Sequence, residues 1–211
     1  MDSRTYDDPC GVARALDVVG QRWALLVVRE LLLGPKRFRD LLHGLDGMSP
    51  NVLSQRVKDL EAAGVLRRTT LGPPASSVVY ALTAEGAALE PILIELGRWG
   101  RRRPLDATGP MSRDALLLAL RTTFDAGAAG DLAVAVDLRL EADRVAIRVA
   151  GGQLTMSRGH APDADAIVTG DVAAVRAMVY REGTVDDAVA AGMVTVAGDR
   201  GAVQGLVNAL R

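Results

Sequence analysis

One cysteine, Cys10, stands in a chain of 211 residues. No disulfide can close within it, and a reducing cytoplasm is the expected setting. Aromatic residues make up 3%, and the second half holds only Phe124 and Tyr180, few for a pocket that grips a flat polycyclic ligand. The two histidines, His43 and His160, fall one in each half, and neither has cysteines or paired carboxylates at metal-ligand spacing. Asp163 and Asp165, near His160, read as a turn with helix caps. No apolar run approaches the roughly 18 residues of a membrane span, and the opening MDSRTYDDPC is too acidic and polar for a secretory signal. Glycine is plentiful, yet no phosphate loop ending in Gly-Lys-Ser/Thr follows from it. Ser112 and Ser157 lack a base. No catalytic residue, metal, cofactor or membrane contact is therefore expected.

What is present is ordinary in amount and uneven in placement. Apolar residues make 49% and charged residues 24%, the proportions of a folded globular protein. The net charge is −1, but residues 1–104 carry 15 Lys and Arg against 12 Asp and Glu, and 105–211 carry 10 against 14. A mildly basic half precedes an acidic one. Between them WGRRRPLDATGP, at 99–110, concentrates arginine, proline and glycine and reads as a linker. The expected domains are 1–104 and 111–211.

The first half is mostly helical in its spacing. A helix is expected over 12–19 with Ala13, Leu16 and Val19 on one side. A second over 21–33 is apolar around most of its circumference and therefore central. A third covers 36–42, and a long one covers 84–101 with Leu89, Ile92, Leu93, Leu96 and Trp99 as its stripe. Residues 65–71 and 77–82 form a hairpin around a proline-stiffened tip at 72–76. In the second half a helix over 114–124 is followed by strands at 132–140, 144–150, 154–157 and 166–169. Helices capped by Asp171, Thr184 and Asp199 and a strand at 193–197 complete it.

The stretch GMSPNVLSQRVKDLEAAGVL, residues 47–66, carries the chemistry. Ser49-Pro50 is a strong helix start. At 100° per residue Val52, Leu53, Val57 and Leu60 form a core-facing stripe. Asn51, Ser54, Gln55 and Lys58 fall opposite. Asn and Gln are bidentate partners for adenine edges, Lys reaches guanine or phosphate, and Ser lets the backbone approach closely. A merely solvated face more often shows Glu/Lys pairs. With 36–42 before it and the hairpin behind, this is a helix-turn-helix with a wing. Lys36, Arg37 and Arg39 at the start of the first helix, and Arg67 and Arg68 at the base of the wing, are expected phosphate contacts. Arg56, at the stripe's edge, either flanks a phosphate or pairs with a carboxylate.

The segments CGVARALDVVGQRWALLVVRELLLGPKRFRDLL, GMSPNVLSQRVKDLEAAGVLRR and VVYALTAEGAALEPILIELGRWG closely resemble the HxlR-type winged helix-turn-helix regulators from Cys10 to Trp99. That resemblance implies a cytoplasmic homodimer joined through the first and last helices of the domain. It also implies a roughly palindromic double-stranded operator with half-sites about 34 Å apart. It places Cys10 where some members sense oxidants or electrophiles, which needs a lowered thiol pKa and access.

The stretch DAIVTGDVAAVRAMVYREGTVDDAVAAGMVTVAGDRGAVQGLVNAL resembles the sterol-carrier-protein-like α/β fold, whose members commonly enclose apolar ligands. The candidate lining residues are Val134, Val136, Leu138, Val145, Ile147, Leu154, Met156, Met178 and Met193; core packing explains the same residues. The fold expected overall is α+β. The function expected is a dimeric DNA-binding transcriptional regulator modulated by a small apolar ligand. Two alternatives stand beside it: an apolar-ligand carrier whose winged domain only dimerises, and a redox regulator acting through Cys10.

Overall fold

The computed structural model describes residues 5–72, 76–103, 109–141 and 143–211. Most of the expected hairpin tip (73–75), part of the linker (104–108) and Ala142 in the turn after the first long strand lie outside the described residues. The architecture is α+β, in two compact units. One holds the chain up to Leu96, and the other holds Met111–Arg211 together with the last turn of a helix from Gly97.

The first unit runs α1 (Gly11–Val19), α2 (Ala24–Leu31), α3 (Phe38–His43), α4 (Pro50–Ala62), β1 (Leu66–Thr70), β2 (Val78–Leu82) and α5 (Ala84–Ala87), and α6 (Glu90–Gly100) begins in it. α2 is central as expected: Ala24, Val27, Val28 and Leu31 are buried. Its neighbour α1 differs, burying Ala13 and leaving Val12 and Leu16 exposed. Both strands pair antiparallel from Leu66↔Leu82 to Thr70↔Val78.

The single helix expected over 84–101 is two. Pro91 has no N–H and its ring opposes the carbonyl of Ala87, four residues back, where α5 stops. Thr83 caps α5, accepting from Gly86 N–H. A Cβ on Gly86 would stand 2.0 Å from the carbonyl oxygen of Val65, so the absence of a side chain lets α5 lie against the root of the wing. Of the expected α6 stripe only Leu93 is buried, while Ile92, Leu96 and Trp99 are exposed.

The second unit is a five-stranded sheet with helices. β3 (Val134–Leu140), β4 (Asp143–Ala150) and β5 (Gln153–Arg158) are an antiparallel meander. β6 (Ala166–Gly170) then crosses over to pair parallel with β3, and β7 (Thr195–Gly198) adds antiparallel to β6, in the order β5-β4-β3-β6-β7. α7 (Arg113–Thr123), α8 (Ala126–Ala129), α9 (Val172–Tyr180), α10 (Val185–Ala190) and α11 (Arg200–Ala209) complete it. Ser112, Asp171 and Asp199 cap α7, α9 and α11, and Thr184 and Asp187 form a full capping box on α10. α8 was not expected from the spacing; Asp125 caps it, accepting from Gly127 and Ala128 N–H.

Candidate nucleic-acid interface

α4 begins where its sequence directs. Ser49 has extended backbone angles and its hydroxyl accepts from Val52 N–H at 3.3 Å, with Pro50 at the first helical position. Leu53, Val57 and Leu60 are buried. Each stabilises the unit by about 1.5–3 kcal/mol relative to leaving it in water. The covered stripe is narrower than expected, for Val52, rotated 100° from Leu53, is 39% exposed in the first turn.

The opposite face is open. Asn51, Gln55 and Lys58 are exposed and Ser54 is half-buried. The Gln55 amide donates to Asp59 Oδ1 at 2.7 Å, and Arg56 Nη1 donates to Asp59 Oδ2 at 3.0 Å. Asp59, which the sequence reading passed over, therefore holds two candidate contacts at once. Its spacing of four and three residues from them is the signal that was available. Of the two places expected for Arg56, the structure holds it beside a carboxylate: its side chain is 13% exposed and pairs with Asp59, three residues on.

Around α4 the basic residues divide. Arg39 is exposed, 3.5 Å from Asp40, and Arg67 and Arg68 are exposed on β1. The backbone N–H of Arg68 donates to Glu61 at 3.2 Å, tying the end of α4 to the wing. Arg37 is half-buried and donates through Nε to Ser77 Oγ at 3.0 Å, just before the second strand of the hairpin. Lys36 departs from its expected place among the phosphate contacts. Its side chain is 12% exposed and its ammonium lies 2.7 Å from Glu30 Oε2, a fully buried carboxylate. A buried counter-charge holds it inward.

Cys10 is exposed and occupies the N-cap of α1. The backbone N–H groups of Val12 and Ala13 hold its thiol pKa below the ordinary value, against a smaller opposing effect of desolvation. The Asp8 carboxylate accepts from the backbone N–H of Cys10 at 2.8 Å.

In the second unit the candidate lining residues gather on one sheet face. Val136 pairs with Ile147, which pairs with Met156; Leu138 pairs with Val145; Val134 pairs with Val149, which pairs with Leu154. All are buried except Leu154, which is half-buried, and Met178 on α9 is buried too. Met193 is half-buried in the turn before β7. The other face of β3 carries a group the spacing did not reveal. Asp137 is fully buried, and its Oδ2 accepts from Arg139 at 3.3 Å and lies 3.0 Å from His160 Nδ1, while Oδ1 has no hydrogen-bond partner. His160 thus meets Asp137, 23 residues away, whereas Asp163 pairs with Arg148. Among the described residues no cluster of three or more His, Cys, Asp or Glu is placed to hold a metal. No helix there is long and apolar enough to cross a membrane.

Residues 18–105 match the HxlR-like helix-turn-helix family, and residues 104–211 match the alkyl sulfatase C-terminal family. The latter differs from the sterol-carrier description that the order of elements suggested. The HTH-type transcriptional regulator YvaP of Bacillus subtilis is 40% identical over 86 residues, covering 41% of this chain and 80% of YvaP. YodB of the same organism, also an HTH-type transcriptional regulator, is 33% identical over 85 residues, 40% of this chain and 76% of YodB. Among solved structures, the sec-alkylsulfatase Pisa1 from Pseudomonas sp. aligns at 20% identity and a TM-score of 0.44. That alignment covers 47% of this chain and 16% of the enzyme, so the chain spans about a sixth of the alkylsulfatase it resembles.

Proposed function

We propose that this chain, which belongs to the HxlR-like helix-turn-helix family and continues into an alkyl sulfatase C-terminal domain, regulates transcription by reading double-stranded DNA with the outer face of α4. The observation that carries this is the split of one helix. Leu53, Val57 and Leu60 lock it to the core while Asn51, Gln55 and Lys58 stand exposed. Asn51 and Gln55 are the base readers. Arg39, Arg67 and Arg68 join Lys58 in neutralising phosphate, and Ser49 holds the helix start near the backbone. Gln55 must leave Asp59 to make its contact.

The working unit is a homodimer, because a palindromic operator needs two recognition helices and one chain presents one. The exposed Val12 and Leu16 of α1 and Ile92 and Leu96 of α6 supply apolar surface for it. Residues 1–104 form the DNA-binding and dimerising domain and 111–211 the effector domain; the cytoplasm, beside the genome, is the place of action. A small apolar ligand between the sheet face of Val136, Ile147 and Met156 and the helices would act by linkage. A coupling of about 1–3 kcal/mol between the two sites suffices.

The test is selection of duplexes from a randomised pool by the purified full chain, followed by affinity measurement at several salt concentrations. Enrichment of a two-fold-symmetric sequence supports the reading. A carrier that uses its winged domain only to dimerise would show no duplex preference at physiological salt. A second reading, favoured by the exposure of Cys10 and its lowered thiol pKa, is that oxidation of this residue alters operator affinity. A Cys10→Ser protein that still releases DNA in peroxide rules it out.

A further inference from the structure

Glu30 sits on α2 and its side chain is fully buried. Oε1 accepts from Arg29 Nη2 at 2.8 Å and Nε at 3.1 Å, and Oε2 accepts from Lys36 Nζ at 2.7 Å. The same carboxylate presses against Gly44, which caps the C-terminal end of α3. A Cβ built on Gly44 would lie 2.2 Å from Glu30 Oε2 and 2.8 Å from its Cδ. Gly44 has φ −77, an angle open to any residue, so what Glu30 requires there is empty space and not backbone freedom. Lys36 in turn exchanges two backbone hydrogen bonds with Tyr80 of β2, at 3.0 and 2.8 Å. One carboxylate therefore ties the central helix that carries it to the turn that leads from α3 to α4 and, through Lys36, to the second strand of the wing.

Those are the parts whose mutual angle decides how α4 and the wing meet a duplex. A buried ion pair is a poor source of stability, because desolvation offsets most of the attraction; its best-attested use is to select one arrangement over near alternatives. We infer that Glu30, with Lys36, is a positioning residue for sequence reading. It holds the α3–α4 turn and the wing so that Asn51 and Gln55 reach base edges, without itself touching DNA. The inference rests on the DNA-reading function proposed above.

Two variants test it in the full chain, Glu30→Gln and Lys36→Gln. Affinity is measured for the duplex selected from a random pool and for poly(dI-dC), across a salt series, on protein shown by circular dichroism and thermal melting to be folded. As a positioning pair, each variant should lower the ratio of selected to unselected affinity about tenfold or more, roughly one well-made base contact. The salt slope should stay unchanged, since no phosphate contact is lost. If Lys36 were a phosphate contact instead, Lys36→Gln would weaken both duplexes together and flatten the slope by about 0.9, which overturns the inference. So does an unchanged ratio in a folded variant. Should Glu30→Gln fail to fold, Lys36→Gln, which leaves Glu30 its Arg29 partner, decides the matter alone. If the unmodified protein prefers no duplex, it is the DNA reading that fails, and the two failures are told apart.

Discussion

Asn51 and Lys58 share a face of α4, but removing them should cost different things. Asn51→Ala should weaken the selected duplex by about 1–3 kcal/mol and leave unselected DNA unaffected, because a bidentate contact to a base edge is lost. Lys58→Ala should weaken both duplexes and lower the slope of log affinity against log salt by about 0.9 if its partner is a phosphate. Titrations at several salt concentrations separate the two. Cys10 carries a prediction of its own. Its thiol pKa is lowered by the backbone N–H groups of Val12 and Ala13, so at a given pH more of it is thiolate than in an unstructured peptide. Its alkylation by iodoacetamide should persist to lower pH than that of a cysteine peptide, and coincident profiles would refute this. At this scale the sequence was a partial guide. The outward residues of α4 follow from helical spacing, whereas the burial of Lys36 depends on Glu30, and the meeting of His160 with Asp137 depends on a fold that closes 23 residues of chain.

Elements show what local chemistry can decide. Removing the cap with Ser49→Ala should cost about 0.5–2 kcal/mol, read as a lower urea midpoint. Gly86→Ala should cost more than a surface substitution normally does, because its Cβ would meet the Val65 carbonyl at 2.0 Å. The capping box of α10 gives a pH dependence. The N–H and hydroxyl of Thr184 both donate to Asp187 and hold its carboxyl pKa below the ordinary range. The folded state thus favours the ionised form. The stabilisation is present above the unfolded carboxylate pKa of about 3.9 and is lost as pH falls through the lower folded value. Urea midpoints of the natural chain and Asp187→Asn should differ near neutrality and converge in acid; a pH-independent difference would contradict the box. The helix expected over 172–180 and the observed α9 coincide because a cap and an apolar period agree there. The stretch 84–101 forms two helices because Pro91, without an N–H, interrupts an otherwise continuous apolar period.

Across the molecule, one face of α6 and one of α1 stand open to solvent. If they join two copies, replacing Ile92 and Leu96 together by lysine should yield a monomer in sedimentation equilibrium. It should also reduce affinity for a two-fold-symmetric duplex far more than for one half-site, since the second recognition helix no longer arrives with the first. A dimer that survives both lysines would move the interface elsewhere.

The amino-acid order alone determined the winged helix-turn-helix, the capped start of α4, and the strands and helices of the second half other than α8, because caps, prolines and apolar periods act within a few residues of themselves. Only the tertiary structure decided which apolar side chains would be covered, since Val52, Leu16 and Ile92 carry the same periodic signal as residues that became core. It also placed β6 parallel beside β3 and brought Glu30, Lys36 and Gly44 to one point. Burial and ion pairing depend on what arrives from distant parts of the chain, and no local pattern records that.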